Sequence, residues 1–379
     1  MGVITSNYKC ASVNPIQKIS CFKIQQPASI VEESNFMSKL ITFYNNKGGV
    51  SKTTTLFNLA VHLAKSGKKV LIADCDPQCN ATELFLASST EFDNPDKSLP
   101  GTSIYEALRP RFEGEVARVD VNKVELVPSP IYKGLFLLRG DLEFASAEGY
   151  LAIATNQAIT ENVHEKNTYL AIHRLLYGLG SENKFDYVLC DVGPSTGAIS
   201  RMVVLACDGF FIPLTPDRFC SQAVRVLGKV LTEWIKRHEE ISKTFEPFKL
   251  KPFPGKPCFL GAIIQNFKVH SGTSPKASYQ RWQQKINDGL KSSVLDNAKI
   301  PLRAGLNLRN PFIASIRDVG PLVPIAQMFG RAIFDIDRRH TEAASTTGNA
   351  YGGAVWQNWV DRMNAYKDEI LKIADALPE

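Results

Sequence analysis

From Leu40 onward, short apolar runs alternate with amphipathic stretches along most of the chain. "LITFY" predicts a strand, and Thr53 to Ser66 a helix with Leu56, Leu59, Ala60 and Leu63 on one side. "KKVLIADCD" predicts a second strand after the Gly67 turn. A polar, turn-rich stretch over 88–122 follows, with one short helix around Ile104–Leu108. "KVELVPS" and "LFLLRGD" are candidate strands, with a helix from about Leu142. "FDYVLCDVG" and "GFFIPLTP" are strand runs flanking a helix at Ile199–Ala206. "QAVRVLGKVLTEWIKRH" predicts a long helix and "FLGAIIQNF" a last core strand. Two helices are expected near Leu322–Phe334 and Trp356–Leu377. Such alternation predicts an α/β fold: a doubly wound, mostly parallel sheet with helices on both faces.

Residues 1–36 lack any sustained period, and Met37 stands just ahead of the first strand. They are expected to be a disordered extension or an artefact of start-codon choice, leaving 37–379 as one domain. No apolar run is long enough to span a bilayer and no signal-peptide core is present, so a cytosolic protein is expected. Eight cysteines show no metal-ligand spacing, and several sit in apolar contexts that predict buried, reduced thiols. The histidines are scattered and no Gly-x-Ser-x-Gly elbow occurs, so neither metal-hydrolase nor Ser/His/Asp chemistry has support.

Chemistry concentrates in "FYNNKGGVSKTTTLFNLA", a strand, a glycine loop and a helix start. A helix N-terminus presents unpaired N–H groups and a positive dipole end, and so attracts anions. Gly48 and Gly49 allow close backbone approach to phosphate oxygens, with Val50, Ser51 and Thr54 completing the loop. Lys52 is placed to contact the β- and γ-phosphates, and the Thr53 hydroxyl to ligate Mg²⁺. The common Gly-x4-Gly-Lys-Ser/Thr pattern is not met, because Asn46 and Ser51 occupy its glycine positions. Two further stretches bring carboxylates to strand ends. "VLIADCDPQCNAT" carries Asp74 and Asp76, and "FDYVLCDVGPSTG" ends its strand in Asp191, the pattern of a Mg²⁺-holding carboxylate. Turn-forming or helix-capping aspartates are the plainer reading of the first pair.

Together these motifs resemble the deviant Walker A loop, Lys-Gly-Gly-x-x-Lys-Ser/Thr, of the ParA/MinD family of P-loop ATPases, closest to its ParA branch. "TSIYEAL", "KGLFLLRGDLEFASAE", "ACDGFFIPLTPDRFCSQAV" and "SIRDVGPLVPIAQ" follow in the family's order, so the resemblance covers roughly 37–375. It implies ATP and Mg²⁺ as cofactors and ATP hydrolysis as the activity. Lys47 is then the lysine that crosses a nucleotide-sandwich homodimer to the other subunit's phosphates, where a cation stabilises developing charge. Asp76 orients the attacking water, while Asp74 supports the metal or the loop. Asn266 matches a base-contacting position, although a strand-end turn explains it equally well. Gly193 stands where the family has the first of two prolines.

The net charge of +6 is unevenly distributed. Residues 243–310 hold 12 Lys/Arg against Glu246, Asp288 and Asp296. Either a polyanion surface or a solvated lysine-rich face accounts for this excess. With the resemblance, it favours non-specific DNA binding, a ParB-like stimulating partner and a nucleoid-associated role in plasmid or chromosome partition. Lys268, Lys276, Arg281, Lys285, Arg303 and Arg309 are the candidate contacts. The alternatives are a ParA-related regulator outside segregation and a MinD-type membrane-positioning ATPase. The last helix carries Asp361, Asp368 and Glu369 on its polar side, which argues against lipid binding and for core packing.

Overall fold

The computed structural model describes residues 37–89, 98–267, 277–343, 345 and 348–379. Residues 1–36, Lys268 and Lys276, all of which carry expectations above, lie outside them. Cys10 and Cys21 do so too.

The apolar runs form β1 (Lys39–Phe43), β2 (Val70–Asp74), β4 (Leu135–Leu138), β5 (Tyr187–Asp191), β6 (Gly209–Leu214) and β7 (Cys258–Phe267). Two more strands, β3 (Val127–Pro128) and β8 (Phe312–Arg317), join them in one sheet of order β3-β4-β2-β5-β1-β6-β7-β8. All pairings are parallel except β3 with β4. Every residue of β2 and β6 is buried, as expected of strands covered on both faces. One core lies on each face of the sheet, around Leu40, Leu138, Val188 and Phe210 on one side and Ile41, Ile72, Leu189 and Phe211 on the other.

The helices are α1 (Lys52–Lys65), α2 (Asn80–Leu86), α3 (Ile104–Phe112), α4 (Ala147–Gln157), α5 (Val163–Tyr169) and α6 (Ala171–Glu182). They continue with α7 (Ala198–Ala206), α8 (Arg218–Ser242), α9 (Ala277–Leu290), α10 (Leu322–Met328) and α11 (Gly353–Ala374). Trp359, Met363, Tyr366, Ile370 and Ile373 of α11 are buried in the core that α1 and β8 share. The apolar side of the last helix is therefore used inside the fold. No helix among the described residues is long and apolar enough to cross a membrane.

Some expectations change. β7 is not the last core strand, because β8 adds in parallel beyond it. "KVELVPS" yields only the two-residue β3, since Val121–Lys123 closes into a short 3₁₀ turn. The helix expected from Leu142 begins as a 3₁₀ turn over Leu142–Ser146, with its regular part at α4. The sheet's two edges carry different obstacles to further pairing. Pro128 has no N–H to offer from β3, while on β8 the Ser315 N–H donates to Glu369 Oε2 at 2.6 Å. Six cysteines, Cys75, Cys79, Cys190, Cys207, Cys220 and Cys258, are free thiols, four of them fully buried.

Leu189 lies mid-strand in β5, between β1 and β2, with no exposed surface. Leu189→Ala is expected to cost about 3 kcal/mol of stability by urea denaturation. A loss under about 1 kcal/mol would show that the sheet centre collapses around the missing side chain.

Candidate functional site

The carboxyl ends of β1, β2 and β5 open on one crevice, into which the loop after β1 folds. Asn45 anchors this loop, its Nδ2 donating to Pro213 O at 2.8 Å and its Oδ1 accepting from Lys47 N at 3.0 Å. Gly49 takes φ 71°, and Ser51 follows at φ 56°, a left-handed conformation that costs a residue with a Cβ about 1 kcal/mol or more. The Ser51 Oγ accepts from Asn266 Nδ2 at 3.0 Å. Asn266 is itself left-handed (φ 54°), so the strand-end turn is present and its side chain reaches the loop.

The loop delivers the first turn of α1, which has no side-chain cap and no acidic residue. By contrast, α3, α5 and α8 are capped by Ser103, Asn162 and Asp217. Lys52 lies beneath the loop, nearly buried, with Nζ 3.4 Å from Asn45 O and 3.5 Å from Lys47 O. Burial lowers its pKa, while Asp191 and Asp76 pull it back up. A cavity of about 620 Å³ opens over Gly48–Thr54, with Asp76, Gln78 and Pro194 on its far wall.

Asp74 and Asp191 stand side by side in the register of β2 and β5. Both are buried, and burial is the main cause that raises both pKa values, helped at Asp74 by the Asp76 charge and at Asp191, which is pushed up to about 8, by the Asp74 charge. They are compensated differently. Asp74 Oδ2 accepts from Thr82 N at 2.8 Å and Thr82 Oγ1 at 2.7 Å, and its Oδ1 from Asp76 N at 3.3 Å. It is thus spent on the N-terminus of α2. Asp191 Oδ2 accepts from Thr53 Oγ1 at 2.7 Å, whereas its Oδ1 is buried without a partner. An orphan carboxylate oxygen beside a threonine hydroxyl is a hard-oxygen donor set that fits Mg²⁺. Asp76 accepts from Gln78 N at 3.0 Å through Oδ1 and lies against Gly193, where an added Cβ would come within 3.0 Å of that oxygen. Gly193, the departure from the family's proline, thus gives Asp76 its room.

Lys47 points away from the phosphate cavity. Its Nζ pairs with Asp217 Oδ2 at 2.5 Å, bonds Thr215 Oγ1 at 3.0 Å, and lies 5.8 Å from the Phe219 ring centre. Asp217 and Thr215 fell within a quoted motif, but only the fold brings them to Lys47. Glu148 was likewise invisible as a site residue. It reaches from α4 to the loop after Asp191, accepting hydrogen bonds from the N–H groups of Ala198 and Ile199.

A parallel sheet whose central strand runs into a lysine-bearing loop and open helix N-terminus, with a strand-end aspartate facing that helix, defines a P-loop nucleoside triphosphatase. A family model described as an AAA domain matches residues 38–244, over half the chain, and the protein belongs to this family, the ParA/MinD group of P-loop ATPases. It is 29% identical over 192 residues to the chromosome-partitioning ATPase Soj of Treponema pallidum, covering 50% of this chain and 62% of that protein. It is 27% identical to the sporulation initiation inhibitor Soj of Bacillus subtilis, covering 50% and 64%. The chain thus spans less than two thirds of the length of these curated relatives. Among solved structures, a Corynebacterium diphtheriae protein superposes with a TM-score of 0.55 at 24% identity, covering 73% of this chain and 93% of that one. The ATP complex of a Cyanothece McdA variant gives 0.52 at 17%, covering 89% and 97%. These two likenesses concern the fold.

The raised pKa of Asp191 fixes the sign of a pH effect. The folded chain keeps this proton while the unfolded chain loses it near the ordinary carboxylate value, so the contribution to stability falls as pH rises towards 8. Without metal, Asp191→Asn is expected to melt progressively higher than wild type between pH 5 and 8. Parallel melting curves across that range would contradict the burial argument.

Proposed function

We propose that this protein is an ATP-hydrolysing switch that dimerises on ATP, binds DNA without sequence preference and serves DNA partitioning or positioning with a ParB-like stimulating partner. The observation that carries the reading is the uncapped N-terminus of α1 beside Lys52, facing the Thr53–Asp191 pair with its unpartnered Oδ1. The Soj relatives, named for chromosome partitioning and sporulation control, support the process.

In this reading the amides of Gly48–Thr54 cradle the phosphates and Lys52 neutralises the γ-phosphate. Thr53 and Asp191 would hold Mg²⁺, which would supply neutralisation of phosphate charge. Asp74 acts from behind by fixing α2 and the loop that carries Asp76. Asp76 orients the attacking water. Lys47 leaves Asp217 and crosses to the partner subunit's phosphates when two ATP-loaded copies meet. Asn266, linked to Ser51, lies where the base is to be read.

Lys52→Ala is expected to abolish ATP binding. Asp76→Ala is expected to bind ATP normally yet turn over at least tenfold more slowly, accumulating dimer in size-exclusion runs with ATP and Mg²⁺. Wild-type turnover in Asp76→Ala would remove its role.

Among the described residues, part of the basic segment gathers around α9. Arg281 and Lys285 are exposed on α9, and Asn287 Nδ2 donates to Arg309 O at 3.0 Å, tying the loop bearing exposed Arg309 to the same helix. Arg303 is only partly exposed. Paired in a dimer, two such surfaces raise DNA affinity by avidity. Duplex binding is expected to strengthen sharply with ATP over ADP and to fall with salt, each lost phosphate contact lowering the log–log slope by about 0.9. Reversing Arg281, Lys285 and Arg309 should abolish it while ATP binding persists. Absent or salt-insensitive binding in every nucleotide state would instead favour a ParA relative that regulates another process.

A further inference from the structure

The first N–H groups of a helix need acceptors from outside it. At α7 the acceptor is Glu148, a residue of α4 fifty positions earlier, whose Oε1 takes the Ala198 N–H and whose Oε2 takes the Ile199 N–H, the latter at 3.0 Å. A carboxylate shared by two amides at the positive end of a helix is a charge-assisted, oriented contact. The approach is close enough to dictate the preceding residue, since a Cβ on Gly197 would lie 2.5 Å from Glu148 Oε1.

Glu148 thereby pins one end of the 192–197 loop, whose other end is Asp191. Midway, Tyr44 Oη, from the end of the phosphate-loop strand, donates to Ser195 O at 2.9 Å. Between these anchors Gly193 lies beside the Asp76 carboxylate and leaves it room, since an added Cβ there would come within 3.0 Å of Asp76 Oδ1. Asp76, Gly193, Gly197 and Glu148 all line one cavity of about 720 Å³. The carboxylate that caps α7 and the one assigned to the attacking water are thus joined through six residues of loop that is held at few points.

We propose that Glu148 is a positioning residue of the hydrolytic site: by capping α7 it holds the 192–197 loop where its Gly193 backbone walls the Asp76 carboxylate without crowding it. This rests on the ATPase reading. Glu148 bonds to the start of α7 and to neither the phosphate loop nor Lys52, so its loss leaves nucleotide binding alone and misplaces the water. Displacements near 1 Å at a catalytic group cost about a hundredfold in rate.

The test uses the full chain and two independent readouts. Without nucleotide, hydrogen exchange at the Ala198 and Ile199 amides is expected to accelerate at least tenfold in Glu148→Ala, with β1 and β5 amides unchanged. With ATP and Mg²⁺, kcat is expected to fall at least tenfold while KM stays within threefold. Glu148→Gln, which keeps one acceptor oxygen, should recover part of the rate. Gly197→Ala, which drives the carboxylate off from the opposite side, should reproduce the kcat loss with Glu148 intact. Unchanged exchange at the two amides, an unchanged kcat, or a kcat loss matched by a rise in KM and faster exchange throughout the sheet each overturns the assignment. If wild type itself does not hydrolyse ATP while the exchange effect is present, the ATPase reading fails and the positioning role fails with it, although the cap is real.

Discussion

Two carboxylates side by side at the ends of neighbouring buried strands are the constraint from which the crevice follows. The register of β2 and β5 places Asp74 beside Asp191, and burial makes their joint ionisation costly. The fold gives one of them hydrogen bonds at both oxygens and the other at only one. Asp74 is bonded through both oxygens to the α2 turn, whereas Asp191 keeps a bare oxygen next to Thr53. Lys52, the nearest buried cation, is itself held only by backbone carbonyls at long distances. What is left uncompensated is a place for a hard cation and an anion together.

Helix N-termini around the crevice show the same division. Those of α2, α7 and α8 are met by Asp74, Glu148 and Asp217, each a carboxylate of the protein itself. Only α1 among these four is given none. Negative charge brought by a ligand has one helix end free to receive it, and that end follows the strand at the middle of the sheet.

The strands and the phosphate loop were legible because their signals are local. Apolar runs, a glycine pair and Lys52-Thr53 are read within a dozen residues. β8 was missed because "FIASIR" carries a polar and a charged residue on an edge strand, where alternation is weak. α5 and α9 lie in polar stretches where packing, not propensity, decides the structure, whereas α6 carries Ile172, Leu175, Leu176 and Leu179 at helical spacing and was open to reading from sequence. The partners of the site were beyond reach for a further reason. Lys47 with Asp217, Asp76 against Gly193 and Glu148 on α7 are contacts between segments 50 to 170 positions apart, and nothing in a single sequence ties such positions together. Ser51 was noticed as a departure from glycine, but its left-handed backbone and its bond to Asn266 appear only in three dimensions.

Each margin of the sheet carries a feature that discourages a further strand. On one side β3 is two residues long and ends in Pro128, and on the other Glu369 occupies the Ser315 amide. Both features count against lengthening of the sheet by further copies, the route that leads to irreversible fibres. Self-association is left to helices and loops, whose contacts form and separate without remaking backbone hydrogen bonds.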